Sequence, residues 1–504
     1  MGRDHLLAID QGTTSSRAVV YDRRLQPVSQ AQAEVLPTYP RSGWVEHDPA
    51  ALVASIGPLV VEALGEANLG AGRIAAIGLT NQRETTVGWD RHTGAAIGPA
   101  LVWQDRRTSE FCERHRDRRA WVAERTGLVL DPYFSATKIA WLLDHVPGAR
   151  RRAEAGELAA ATIDTLLLWH LTGGRRHVTD VTNASRTLLM DLRTLQWADD
   201  LCDFFGVPRA LLPEILPSSA EFGRTLGLSY LPDGLPIMGA AGDQQASLVG
   251  QGCLAAGQAK CTYGTGAFLL VHTGGRVVPS TRGLITTLAA TLGNGPAQYA
   301  LEGSVFVAGA AVQWFRDGLK AVGAAPEIDR LCLEANPDSE VVFVPALTGL
   351  GAPHWEPEAR GTMFGLTRAT TIADLARATL EGVAFQVADL IDGMDADLPT
   401  PVSDLRVDGG MARSDPFLQF QADVLGMPLR RSPFPESTAL GAALLAGLGV
   451  GLWPDVATAV ELLRTGSQIV SPRHDDAWRA VALGRWHHAI ESVKEHYRHQ
   501  PLVL

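Results

Sequence analysis

The sequence predicts an α/β protein built as two related domains around a cleft, and three observations carry that prediction. Runs of β-forming apolar residues alternate with segments of helical periodicity. A short hairpin with a hydroxyl-rich turn opens the chain, and a similar hairpin recurs near its middle. Several apolar runs end in polar or glycine-flanked residues, as strands do in parallel sheets, where ligands gather at the carboxyl ends.

The first hairpin runs from Leu6 to Asp22, with Gly12 in the turn. Thr13, Thr14 and Ser15 place hydroxyls beside exposed backbone N–H groups there, a concave donor set suited to phosphate. Asp10 ends the first strand, where its carboxylate can hold a hydrated Mg²⁺; the alternative is a turn-stabilising Asx residue. Asp48-Pro49 reads as a helix start, N-cap followed by first-turn proline, with the helix reaching about Ala67. Arg73 to Gly78 reads as a buried strand ending at the polar stretch Thr80–Glu84. There, Arg83 can donate to a hydroxyl of a small polyol and Glu84 can accept from one. The alternative is a surface ion pair. Pro232 to Met238 leads through Gly239-Ala240-Ala241-Gly242 to Asp243. Asp243 suits a general base that accepts a proton from a hydroxyl attacking phosphorus; the alternative is an N-cap of the following helical turn, and both roles can hold together.

The second hairpin covers Ala259–Val271, with the turn Gly264-Thr265-Gly266. A boundary just before it divides the chain into domains 1–251 and 252–504. In Phe306–Ala311, Gly309 can permit either ligand approach or close helix packing. Leu405–Gly410 reads as a strand ending in a diglycine, followed by a helix over Asp415–Leu425. Strand, diglycine and helix N-terminus together suit distal phosphates or a nucleoside. Ala439–Trp453 is the longest uncharged apolar run, glycine-rich and too short for a membrane span, so it reads as a tightly packed buried helix. The last fifty residues read as a closing helix without a clear motif.

Bulk properties narrow the function classes. The chain has 504 residues, 46% hydrophobic and 20% charged, which fits a loop-rich α/β enzyme of two to four domains. A formal net charge of −11 argues against general nucleic-acid binding. Five scattered cysteines form no CxxC pair, and the histidines lack metal-ligand spacing. Reduced thiols, no zinc and a cytoplasmic location are expected. The N-terminus shows no signal-peptide or myristoylation pattern.

Asp10–Arg17, Gly43–Pro49, Thr80–Thr86, Asp131–Lys138 and Gly242–Gln245, in that order, carry a family resemblance. Over about residues 5 to 455 the chain resembles the carbohydrate kinases of the sugar kinase, Hsp70 and actin superfamily, and among them the glycerol kinases. The resemblance implies two ribonuclease-H-like, actin-like ATPase domains around a central cleft. It implies ATP-dependent, Mg²⁺-assisted phosphorylation of glycerol to sn-glycerol 3-phosphate, with ADP released. Arg83, Glu84, Tyr133, Asp243 and Gln244 would hold the glycerol hydroxyls. Trp103 and Phe268 would pack on its carbons, where residues alone would suggest core packing. Arg17 and Thr265 join Thr13, Thr14 and Ser15 at the nucleotide, with Gly309, Gln313, Gly410 and Ser414. Asp243 joins Asp10 near the metal. A homodimer or homotetramer is expected, with no nucleic-acid partner and no stable membrane insertion. Better-known bacterial members carry Asn against the adenine where this chain has Ser414, which leaves base recognition at that point open.

Regulation departs from the family. Several relatives are inhibited by fructose 1,6-bisphosphate through a loop with a Gly and an Arg. Here that loop is Leu231–Pro236, with Leu235 in place of the Arg and an added Asp233. Other relatives are activated when a phosphocarrier protein phosphorylates a loop His; Phe222–Pro236 contains no His. Arg224 lies upstream and could stand in for the Arg, but both controls are expected to be absent. Two other readings share the hairpins: a kinase for a pentulose or gluconate, and an ATP-driven chaperone module. The first fits Arg83, Glu84 and Trp103 less well than a three-carbon polyol does. The second gives those residues no purpose.

Overall fold

The computed structural model describes residues 2–293, 295–434, 436–464 and 466–498. The first large sheet contains β1 (His5–Gln11), β2 (Ser15–Tyr21), β3 (Pro27–Glu34), β4 (Ile74–Asn81), β5 (Gly223–Arg224) and β6 (Pro236–Gly242). Their order is β5-β6-β4-β1-β2-β3. The second contains β7 (Gln258–Tyr263), β8 (Ala267–Gly274), β9 (Ile285–Leu288), β10 (Tyr299–Val305), β11 (Asp404–Gly409), β12 (Leu429–Arg431) and β13 (Gln468–Val470), ordered β9-β10-β8-β7-β11-β12-β13.

The two sheets share a plan. In the first, β1, β2 and β3 form an antiparallel meander, and β4 and β6 add in parallel on the far side of β1. In the second, β7, β8 and β10 form the meander, and β11 and β12 add in parallel beyond β7. This is the doubled fold that the two hairpins predict. Parallel register also fixes the cleft edge. Asp10 lies beside Thr80, and Gly242 beside Asn81, so the ends of β1, β4 and β6 open at one place.

The helices that bear on the site are α1 (Pro49–Ala54), α2 (Ile56–Glu66), α3 (Asp243–Gly250), α4 (Gly309–Gln313), α5 (Ile372–Asp397), α6 (Asp415–Leu425), α7 (Ser437–Gly449) and α8 (Asp476–Arg498). Asp48 caps α1 by accepting from the Ala50 N–H at 2.9 Å, as its sequence predicts. The expected single helix is broken at Ser55. Residues Pro49–Glu66 are long and apolar enough, by length and composition, to cross a membrane. In this fold the stretch turns Ile56, Leu59, Val60 and Ala63 into the core. The run that leads from Pro232 into Asp243 becomes a strand only from Pro236, ending at Gly242, because Thr225 accepts from Leu235 N–H and donates to the Pro232 carbonyl in the preceding turn.

The apolar run after Glu436 forms α7, which ends at Gly449 rather than Trp453. It packs on β4, β6 and α3 at backbone contact. A Cβ on Gly441 would overlap the Ala246 carbonyl, and one on Gly78 the Ala442 carbonyl. A helix from the second half thus completes the core under the first sheet. We expect Gly441→Ala to destabilise the protein by about 1–3 kcal/mol through overpacking. Thermal unfolding checks this; an unchanged Tm would show that α3 and α7 can separate without cost.

The closing helix α8 is anchored by Trp486, which stacks on Phe385 and donates to Asp389 of α5 at 2.8 Å. All five cysteines are free thiols, as expected.

Candidate active site

The site assembles where β1, β4 and β6 end. Arg83 and Glu84 follow β4 and are buried, with side-chain exposures of 2% and 1%. This overturns the surface-pair alternative. Glu84 adopts a left-handed backbone (φ 60°), an unfavourable conformation that the surrounding contacts hold. Gly242 lets Arg83 pass, since a Cβ there would lie 2.6 Å from the Arg83 Cγ.

Two residues unpredicted from sequence complete the cluster. Arg83 donates to both Glu302 oxygens, Nη1 to Oε2 at 2.6 Å and Nη2 to Oε1 at 3.0 Å. Arg186 donates from Nε to Glu84 at 2.5 Å and from Nη2 to Glu302 at 3.1 Å. Burial pushes the Glu302 carboxyl up, but Arg186 and Arg83 beside it outweigh this and hold it down to about 2. Glu84 is shifted upward, because burial exceeds the pull of the same two guanidiniums. A glutamate inside the apolar run Tyr299–Val305 was the available sequence signal for Glu302. Nothing local marks Arg186.

Asp243 is the first residue of α3 rather than its cap, so the N-cap alternative does not hold; Gly242 occupies that position. Its carboxylate accepts from the Gln244 N–H at 2.7 Å and lies 3.3 Å from Arg83 Nε. The side chain is 31% exposed to the cleft. Burial raises its pKa against the opposing pull of Arg83. Asp10 is pushed up to about 7 by burial, with Arg17 opposing and the Asp243 charge adding to the rise. Gln244 accepts through Oε1 from Lys260 Nζ. Lys260, also missed in the sequence, is buried on β7 and lowered by burial.

The aromatic wall is joined to the first hairpin. Trp103 donates from its indole N–H to Thr13 Oγ1 at 2.9 Å and meets Tyr133 edge-on, ring centroids 5.5 Å apart. Arg186 sits 5.8 Å from the centre of the Tyr133 ring. The set Asp10, Thr13, Arg83, Glu84, Trp103, Tyr133, Asp243 and Gln244 is therefore one connected neighbourhood. Phe268 stands on β8 opposite Thr262 and Ser304 and is partly exposed.

The remaining predicted residues line the two hairpins and the second half. Thr14 is exposed and Ser15 partly so in the first turn. Arg17 bonds Glu436 and Gln32. In the second hairpin, Thr265 accepts through its carbonyl from Ala308 and Ala310, and Gly264 accepts from Gly309. A Cβ on Gly309 would lie 2.5 Å from the Gly264 carbonyl oxygen, so close packing alone requires glycine there. Gln313 ends α4 and is exposed, as is Gly410 beyond β11. Ser414 caps α6, accepting from Phe417 N–H at 3.2 Å and donating to Asp329 at 2.7 Å.

Known proteins match this arrangement along nearly the whole chain. Residues 5–250 match the N-terminal domain and residues 259–450 the C-terminal domain of the FGGY family of carbohydrate kinases. The glycerol kinase of Acidovorax sp. (strain JS42) is 51% identical over 493 residues, covering 96% of this chain and 98% of its own. That of Myxococcus xanthus (strain DK1622) is 50% identical over 490 residues, covering 97% and 99%. The crystal structure of Plasmodium falciparum glycerol kinase with ADP superposes with a TM-score of 0.93 at 37% identity, covering 98% of each chain. A xylulose kinase from Rhodospirillum rubrum shares the fold at TM-score 0.85 and 25% identity, over 98% of this chain and 100% of its own. Matched in both domains and about half identical to full-length relatives, the chain belongs to the FGGY family of carbohydrate kinases.

Proposed function

We propose that this chain transfers the γ-phosphoryl group of ATP to glycerol, giving sn-glycerol 3-phosphate and ADP. The observation that carries the reading is the buried Arg83–Glu84 pair set between the Asp243 carboxylate and the Trp103–Tyr133 wall. A donor, an acceptor and an apolar edge around one carboxylate suit a small polyol. The half-identical glycerol kinases agree with it.

In this reading Asp243 accepts the proton of the attacking hydroxyl late in the step. Arg83, Glu84, Tyr133 and Gln244 orient the hydroxyls, while Trp103 and Phe268 pack against the carbons. Thr13, Thr14, Ser15, Arg17 and Thr265 hold the phosphates through hydroxyls, a guanidinium and turn N–H groups. Gly309, Gln313, Gly410 and Ser414 carry the nucleoside end. Domain 1–251 supplies most of the polyol pocket and domain 252–504 most of the nucleotide site.

The acidic groups fit Mg²⁺. The Asp243 charge adds to the rise of the Asp10 carboxyl, so two acidic groups face one place, and hard oxygen donors are what this ion prefers. Among the described residues no group of three or more His, Cys, Asp or Glu could hold a metal alone. That suits an ion held by one or two carboxylates, water and phosphate. When bound, Mg²⁺ neutralises charge on the β- and γ-phosphate oxygens. Free thiols fit a cytoplasmic setting, and the working form in this reading is a homodimer or homotetramer.

A coupled assay of ADP release across glycerol, dihydroxyacetone, xylulose and gluconate tests the substrate. Glycerol should give the highest kcat/KM. A clear preference for xylulose would replace the reading with a pentulose kinase.

The regulatory loop supports a second expectation. Leu235 is buried, Asp233 accepts from the Gly227 N–H at 2.7 Å, and Arg224 pairs with Glu221 at 2.9 Å. Leu231–Pro236 itself contains no cation to hold two phosphates. Fructose 1,6-bisphosphate at millimolar concentration should leave the rate unchanged. A saturable loss of rate below a millimolar would refute this.

A further inference from the structure

We propose that Glu302 is a positioning residue for the polyol pocket: a strand of the second half aims Arg83 and bridges it to Arg186. The inference rests on the reading of Arg83 and Glu84 as the polyol-binding pair. Glu302 lies within β10 between Leu301 and Gly303 and is 3% exposed. A bidentate carboxylate fixes the plane of a guanidinium as well as its position. With both Arg83 Nη atoms engaged, the Nε edge is turned toward Asp243 at 3.3 Å. One Glu302 oxygen also receives Arg186, whose Nε in turn holds Glu84. Two guanidiniums and two carboxylates therefore alternate in a buried cluster. Without Glu302, both cations would compete for Glu84, and the donor and acceptor offered to the polyol would collapse on each other. Polyol recognition in the first half would then depend on a side chain that the second half contributes.

The test is a double-mutant cycle on the full chain, after the polyol panel has identified the best substrate. If that substrate is not glycerol, the glycerol reading falls and the cycle is run on the preferred polyol. Glu302→Gln keeps the shape and removes the charge; Glu302→Asp keeps the charge and shortens the reach. Each is expected to raise the polyol KM about tenfold or more. The ATP KM and calorimetric ADP affinity should change less than about threefold. In an Arg83→Lys background, which lacks the fork, Glu302→Gln should add less than about threefold to the polyol KM. Full additivity in that background would overturn the proposal, since Glu302 would not act through Arg83. An equal rise in both KM values, or failure of both variants to fold and bind ADP, would also overturn it, by showing that Glu302 is a strut.

Discussion

Asp243→Asn is expected to lower turnover by about 10²–10⁴ while glycerol and ADP still bind. The substitution is nearly isosteric. The amide oxygen can keep the bond from the Gln244 N–H, and Asp243 stands at the start of α3, so the helix needs no rearrangement. What is lost is an acceptor for the proton of the attacking hydroxyl. The local charge also predicts a pH signature. Burial raises the Asp243 carboxyl, so the protonated, inactive form persists to higher pH than for an ordinary aspartate. The acid limb of the wild-type kcat/KM profile should therefore lie above the usual Asp range, and the variant should lack it. The same sign means that the native carboxylate is a net cost to the fold, so the variant should be no less stable than the parent. Near-normal turnover would remove Asp243 from the mechanism.

Glu84→Ala and Arg83→Ala should each raise the glycerol KM by about ten- to a hundredfold, the effect of about 1–3 kcal/mol for a buried polar group left unpaired. The ATP KM should move far less. Because both residues belong to a buried charge cluster, these variants should also lose about 3–5 kcal/mol of stability, as removing one partner of a buried pair does. Glu84→Ala strands the Nε of Arg186, and Arg83→Ala leaves Glu302 with Arg186 alone. Glu84→Gln should keep the acceptor and lose less stability. Steady-state kinetics with each substrate varied, alongside denaturant titration, separates the two effects. A raised ATP KM with glycerol unaffected would assign the pair to the nucleotide half.

The parts of this protein legible in its sequence are those that short-range patterns encode. Alternating β-formers around Gly12 and around Gly264 determined both hairpins, and their turns sit where predicted. Asp48-Pro49 determined a helix start, and the glycine-rich apolar run determined a buried helix. Strand-end carboxylates pointed to Asp10, Glu84 and Asp243, since parallel strands bring such ends to one edge. The tertiary structure alone decided what those groups meet. Arg186 lies 102 positions from Glu84, and Glu302 lies 219 positions from Arg83, so no local periodicity couples them. It also decided that α7 closes the core under the first sheet, and that Lys260 holds Gln244. The reason is physical. Periodicity and turn chemistry act over a few residues, whereas a buried charge finds its counter-charge only when distant strands close around it. The desolvation that makes the pairing necessary does not exist until the fold does.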